Sequence, residues 1–323
     1  MQGYSRDTNH WMRGFGIAFK KSSGLLRQGV DGRRRSALIF DFIHEHRERF
    51  PVQLMCDTLG VSTGGYYAAR ARSRSPRTLR RDGLASQIRS VHAQSRQIYG
   101  SPRVHQTLLQ AGTQVCRNTV AKLMKSLGIK ARSHRRFRVT TTDSTHPHRL
   151  APDHLQRRFD VAQLNRVWAS DITYVPTDEG FLYLAGVMDL ASRRIVGWSM
   201  SATMHAELAC QAFIMAVQAR RPAPGLIHHS DRGIQYACDQ YQRLLRSHGA
   251  VPSMSRRGNC YDNAVSESFW GRLKTELIHH RRFATREQAK QAIFEYIEVF
   301  YNRQRLHSTL GYQSPEQFEA SRR

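Results

Sequence analysis

The stretch NRVWASDITYVPTDEGFLYLAGVMDLASRRIVGWSM, residues 165–200, reads as three strands joined by minimal turns. Its first segment alternates and is rich in β-branched and aromatic residues, and TDEG and ASRR are too short to be anything but tight connections. An antiparallel meander follows. Downstream, HAELACQAFIMAVQAR carries Leu208, Ala209, Ala212, Phe213, Ala216 and Val217 at helical spacing. LIHHSD is then a short buried strand, CDQYQRLLRSHG a helix and VPSMS another strand. YDNAVSESFWGRLKTELI and TREQAKQAIFEYIEVFYNRQR are closing helices, the second opened by a Thr285/Gln288 capping box. The order βββ-α-β-α-β-α-α is that of an α/β domain with a mixed sheet.

Inside this frame three acids are out of place. Asp171 interrupts an apolar strand, where Asp is disfavoured. Asp231 ends the fourth strand, and Glu267 lies mid-helix on the side shared with Asn263, Trp270 and Lys274. Each has an ordinary reading: a strand-end cap, a turn, a solvated helix residue. If the first and fourth strands are neighbours, Asp171 and Asp231 project side by side, and a helix over that edge brings in Glu267. Clustered acids need a cation, and hard divalent ions take carboxylate oxygens and water. Two such ions clamp the attacking and leaving oxygens of a phosphoryl displacement.

The charge balance fits a phosphate-seeking chain. Fifty Lys and Arg face 25 acids, and residues 1–150 hold 28 against 8, whereas residues 151–323 hold 22 against 17. A basic half joined to a nearly balanced half suggests a polyanion-gripping region on a globular domain. The apolar fraction of 40% excludes a wholly disordered basic protein. No apolar run reaches the roughly 18 residues of a membrane span, and the N-terminus lacks a signal-peptide core, so a cytoplasmic protein is expected. Five scattered cysteines without a CxxC pair support neither a disulfide framework nor a zinc ribbon.

The basic half divides further. Residues 1–36 show no periodicity and are expected to be poorly ordered. Residues 37–75 outline a helix-turn-helix-like module, with Gly60-Val61 at the turn and Ser62 capping a helix through Tyr66, Tyr67, Arg70 and Arg72. Groove contact and plain core packing both fit that helix. Residues 84–130 form a second helical module, with Arg117 and Lys122 as candidate phosphate contacts. Residues 131–159 read as a basic linker, 160–280 as the catalytic core, and 281–323 as its helical extension.

Asp171, Asp231, Glu267 after 35 intervening residues, and Lys274 seven further on resemble the D,D(35)E signature of transposases and retroviral integrases. The words WASDITYV, HHSDRGIQY, SRRGNCYDNAVSESFWGRLKTEL and FYNRQRLHSTLGYQSPEQF look like OrfB-type transposases of the insertion-sequence-three family, as do LGVSTGGYYAARAR and YGSPRVHQTLLQAG upstream. The resemblance runs from about residue 37 to the end. It implies an α/β, RNase H-like mixed five-stranded sheet with flanking helices, preceded by all-α helix-turn-helix-type modules. It also implies two Mg²⁺ or Mn²⁺ ions on Asp171, Asp231 and Glu267, cleavage of element ends in double-stranded DNA, and strand transfer into target DNA. A homo-oligomer on DNA and the upstream-frame protein (OrfA), or a frameshift fusion with it, are the implied partners. The His-His-Cys-Cys spacing of retroviral integrases is missing, so no zinc is expected; nor is there a heptad run. Lys274, Arg256, Arg257 and Asn263 are further candidates for DNA contact. His228 and His229 flank Asp231 but face opposite ways, so at most one can face a metal. The rival readings are an RNase H-like nuclease that cuts without joining and a non-catalytic DNA-binding protein.

Overall fold

The structure, a computed structural model, describes residues 32–71, 75–132, 150–255 and 264–322. It divides into two compact units, one up to Gly83 and one from Leu84.

The first unit contains α1 (Gly32–His46), α2 (Val52–Leu59) and α3 (Thr63–Ala71). Helix α2 ends on Gly60, whose left-handed φ of 66° lets the Val61 N–H turn back to the Cys56 carbonyl. Ser62 then caps α3, its Oγ accepting from the Gly65 N–H at 3.0 Å. Ile39, Phe42, Ile43, Met55, Cys56 and Tyr66 form the core that holds the three helices together. Helix α4 (Pro76–Gln94) spans the division between the units.

In the second unit, α5 (Ser101–Gln110) and α6 (Arg117–Ser126) precede the sheet. Strands β1 (Val167–Thr177), β2 (Gly180–Asp189) and β3 (Ile195–Ser201) form the expected meander. Helix α7 (Ala206–Arg220) crosses to β4 (Ile227–Ser230). A short helix α8 (Ile234–Ala237) and α9 (Asp239–Ser247) lead to β5 (Val251–Met254). The strand order is β3-β2-β1-β4-β5, with β4 parallel to both neighbours. This is the mixed five-stranded, RNase H-like sheet that the resemblance implied. Strand β2 is buried along most of its length because helices cover both faces. Gly197 admits α7 to β3: a Cβ there would lie 2.2 Å from the Ala212 carbonyl oxygen.

Helix α10 (Ala264–Glu276) packs on the other face with α11 (Arg286–Phe294), which continues as a π-helical turn over Glu295–Tyr301 before α12 (Pro315–Ala320). Thr285 caps α11 as expected, but the Gln288 side chain returns to the Ala284 N–H rather than to Thr285. The complete capping box is at Ser314 and Gln317. Residues 150–159 are less of a free connector than their composition suggests: Leu155 is buried with Val167, Ala169 and Leu190, and the His154 N–H donates to Ser253.

A buried polar lock closes the second unit. Arg305 Nε and Nη2 donate to both Glu276 oxygens, and the Tyr296 hydroxyl adds a bond of 2.7 Å to Glu276 Oε2. Asn302 bridges the backbone N–H and C=O of Ile195 at 3.0 Å each, tying the closing helix to β3. The α4–α6 segment docks on this lock. Tyr99 accepts from the Leu306 N–H, Arg103 donates to the Leu306 carbonyl, and Arg132 donates to the Glu276 carbonyl. Burial would push the Glu276 carboxyl up, but the Arg305 guanidinium holds it below the usual carboxylate range. With a depressed folded pKa, its stabilisation is present above the unfolded pKa and is lost as pH falls through the folded one. Glu276→Gln therefore destabilises by about 3–5 kcal/mol at pH 7, because it strands the Arg305 charge. Urea unfolding at a series of pH values should show that gap narrowing below about pH 4, as the wild-type carboxylate also protonates.

Candidate active site

The parallel pairing of β1 with β4 builds the centre. Val167, Trp168 and Ala169 lie opposite Ile227, His228 and His229. Two residues further along the same offset, Asp231 falls level with Asp171. Both side chains are half-buried. Asp171 Oδ1 accepts from the Ile172 N–H at 2.8 Å, and Asp231 Oδ1 from the Gly233 N–H at 2.9 Å. A side chain at Gly233 would crowd that second carboxylate, since its Cβ would lie 3.0 Å from Oδ1.

Helix α10 brings the third acid. Its Trp270 ring lies over Gly186, the β2 residue paired with Asp171, and a Cβ at Gly186 would approach the indole to 3.0 Å. That close approach sets Glu267, one turn before Trp270, within the electrostatic reach of Asp171. The Asp171 carboxyl is pushed well above its ordinary range, first by burial and then by the Asp231 and Glu267 charges. Two groups oppose the shift, the Ile172 N–H and the Trp270 indole N–H. The indole nitrogen is buried without a regular hydrogen bond, so it acts on Asp171 as a nearby dipole. Glu267 is exposed, and partial burial raises its carboxyl as well. Among the described residues no three His, Cys, Asp or Glu side chains close into a ready metal cage. Two carboxylates stand side by side and the third shares their field from the helix.

Lys274 is half-buried two turns beyond Glu267, its Nζ 5.0 Å from the centre of the Tyr174 ring. Burial lowers its pKa and the Asp171 charge opposes that. Of the flanking histidines, His228 points to the face opposite the acids, and His229 is buried on their face. His228 Nε2 sits 2.8 Å from the Ser170 hydroxyl and 3.1 Å from that of Tyr241, and burial pushes it down to about 3. His229 Nδ1 lies 2.9 Å from Ser253 Oγ. Asn302, Arg305 and His307 brace the closing segment, and burial drops His307 to about 2.

Of the candidate DNA contacts, Arg72, Arg256, Arg257 and Asn263 lie outside the described residues. Ser62 is the cap of α3, and Tyr66 is a core residue with its hydroxyl 3.3 Å from His44. Tyr67 is exposed, whereas Arg70 pairs with Asp41 at 3.1 Å and donates to the Phe40 carbonyl. Arg117 and Lys122 stand exposed on α6. Sequence reasoning gave Trp270 a side of the helix but no part in the site. The available signal was Gly186, a glycine within an apolar strand, which marks a close approach.

Comparison with known proteins places the chain in a family. Residues 162–260 and 267–322 match integrase core domains, and residues 79–137 match an HTH-like domain, which therefore falls on α4–α6. The chain is 45% identical over 264 residues to the insertion element IS600 uncharacterized 31 kDa protein of Shigella sonnei, covering 82% of this chain and 97% of that protein. It is 41% identical over 280 residues to transposase InsF for insertion sequence IS3A of Escherichia coli (strain K12), covering 86% and 97%. Among solved structures, the simian T-cell lymphotropic virus intasome with PP2A regulatory subunit B56 gamma is similar at a TM-score of 0.42 and 13% identity, covering 72% of this chain and 73% of that one. The acids at the β1–β4 edge thus sit in an integrase core, and the chain belongs to the OrfB-type DDE transposases of the insertion-sequence-three family.

Proposed function

We propose that this transposase cuts the ends of its element and joins them to target DNA at Asp171, Asp231 and Glu267. What supports the reading is the β1–β4 register, which carried two residues on puts Asp231, just past the end of β4, opposite Asp171, and the Asp231 and Glu267 charges that act on Asp171. The donor set suits a hard divalent ion, Mg²⁺ or Mn²⁺, since all three groups offer carboxylate oxygens. Such ions, held by Asp171, Asp231 and Glu267, would activate the attacking oxygen and stabilise the leaving one. The backbone N–H groups of Ile172 and Gly233 orient one oxygen of each aspartate. Lys274 supplies a positive charge beside Asp171 where a phosphodiester would lie. Water attack at the element end releases a 3′-hydroxyl, which then displaces a target 3′-oxygen at the same centre. Element ends and target DNA are the partners of this reading, and a homo-oligomer on DNA is the assembly that presents two ends together.

Asp171→Asn, Asp231→Asn and Glu267→Gln are each expected to abolish cleavage and joining while DNA binding persists through the basic N-terminal half. Gel-shift and cleavage assays on one preparation check this. Loss of binding in all three would sink the division of labour.

The α4–α6 match makes Arg117 and Lys122 the better phosphate candidates, because Arg70 is already paired with Asp41. Replacing either with Ala should reduce the slope of log K against log salt by about 0.9, and Arg70→Ala should leave it unchanged.

Metal addition gives a third check. Asp231→Asn retains the Oδ1 acceptor for Gly233 and removes one of the repelling charges. The metal-free variant should melt no lower than wild type. Wild type should gain about 3–6 °C at ten times the metal Kd, and the variant should not. Asp178→Asn, in the β1–β2 turn, should change neither result. Marked destabilisation of metal-free Asp231→Asn would make Asp231 a structural turn residue.

A further inference from the structure

Strand β4 ends at Ser230, level with Ser170 when the β1–β4 offset is carried on. Beyond Asp171, among the described residues, no strand lies beside β1 on that edge. Lys274 reaches the opening from α10 and meets Tyr174 there. Tyr174 pairs across the strands with Tyr183, and Phe181 pairs with Pro176, so the three aromatics share the sheet face opposite α10. Tyr174 and Phe181 pack edge to face at 4.9 Å, and Phe181 and Tyr183 at 6.4 Å. Phe181 nevertheless remains 49% exposed and Pro176 is exposed beside it. Cross-strand packing would account for a buried ring, but not for an aromatic face left open beside a lysine and next to a carboxylate site.

We propose that the Tyr174–Phe181–Tyr183 face is a stacking platform for an unpaired base of the DNA strand that passes the active site, with its phosphate at Lys274. This rests on the reading of Asp171, Asp231 and Glu267 as the reacting centre. Every base has a π-face, so such a platform takes nucleotides without regard to sequence. A cation suited to a phosphate, Lys274, lies at one end of the ladder; near the other, Arg286 donates to the Phe181 carbonyl at 3.1 Å beside the Glu179 carboxylate, which accepts from its backbone N–H. Tyr174 is three residues along β1 from Asp171, about 10 Å at the usual strand rise. A strand end opened at the acids thus has an aromatic surface waiting round the sheet edge.

The test uses the full chain carrying Asp231→Asn, so that bound DNA stays uncut. The probes are duplex ends whose terminal nucleotide is 2-aminopurine, either paired or unpaired. The unpaired probe should lose fluorescence on binding through stacking. Adding Tyr174→Leu and Phe181→Leu, which keep apolar bulk but remove the rings, should abolish the quenching. The same change should raise Kd about ten-fold for the unpaired end and less than about two-fold for the paired one. If the double change does not fold, Phe181→Leu alone, at the exposed ring, reads the same contrast. Quenching that survives ring removal, or equal loss of affinity for both probes, would overturn the proposal. Cleavage by the Asp231→Asn chain would instead refute the acid assignment, while the fluorescence contrast would still decide the platform.

Discussion

Repulsion between Asp171 and Asp231 is the constraint around which the second unit is arranged. Carboxylates level on neighbouring strands stand about 5 Å apart, and at an effective dielectric of about 20 two such charges repel by about 3 kcal/mol. The fold holds them there with apolar burial and buried hydrogen bonds on either side of the pair. Trp168 is fully buried within the β1–β4 pairing, opposite His228, and His228 and His229 anchor β4 through Ser170, Tyr241 and Ser253. Burying one or two large side chains is worth as much as the repulsion costs. The upward shift of the Asp171 carboxyl relieves the rest, since a proton does part of a cation's work.

The same constraint explains why the C-terminal segment is so polar inside. Glu267 and Glu276 are on one helix, so anything that fixes Glu276 fixes where Glu267 is presented. Arg305 and Tyr296 hold Glu276, Asn302 ties their segment to β3, and Trp270 seats the helix on Gly186. A second buried cluster, Glu319 with Arg194 and Arg220, binds α12 to the α7 end of the sheet. Because Tyr99, Arg103 and Arg132 also bond to this lock, the HTH-like segment and the acids share one rigid support. Rigid support suits a site whose function depends on placing oxygens rather than on forming new contacts.

Much of this was legible from local pattern. The meander, the helix α7 stripe and the Ser62 cap all follow from periodicity and turn chemistry. The limits were equally physical. Glu276 is a nearly buried acid, yet nothing in KTELI separates it from Asp171, because its partner Arg305 lies 29 residues further along the chain. Arg70 looked free for phosphate until its pairing with Asp41, 29 residues away, was visible. Tyr66 and Tyr67 are adjacent in sequence and split between core and surface by the helical turn alone. The π-helical turn after Phe294 has no sequence signature; it arises where Tyr296, Ile297, Phe300 and Tyr301 must all be buried at once.

The incomplete closure of the three carboxylates has its own logic. Magnesium keeps several waters and is commonly bound by one or two carboxylates together with substrate phosphate. A closed cage of three acids would bind metal without DNA and would carry net negative charge toward an incoming phosphodiester. On the proposed reading, two aspartates with an exposed Glu267 on a separately anchored helix would leave room for phosphate oxygens beside a bound ion. The basic residues elsewhere on the chain then supply the attraction that the acids deny. On this argument DNA grip and metal binding are coupled through the substrate, each favouring the other, although their residues lie on different elements.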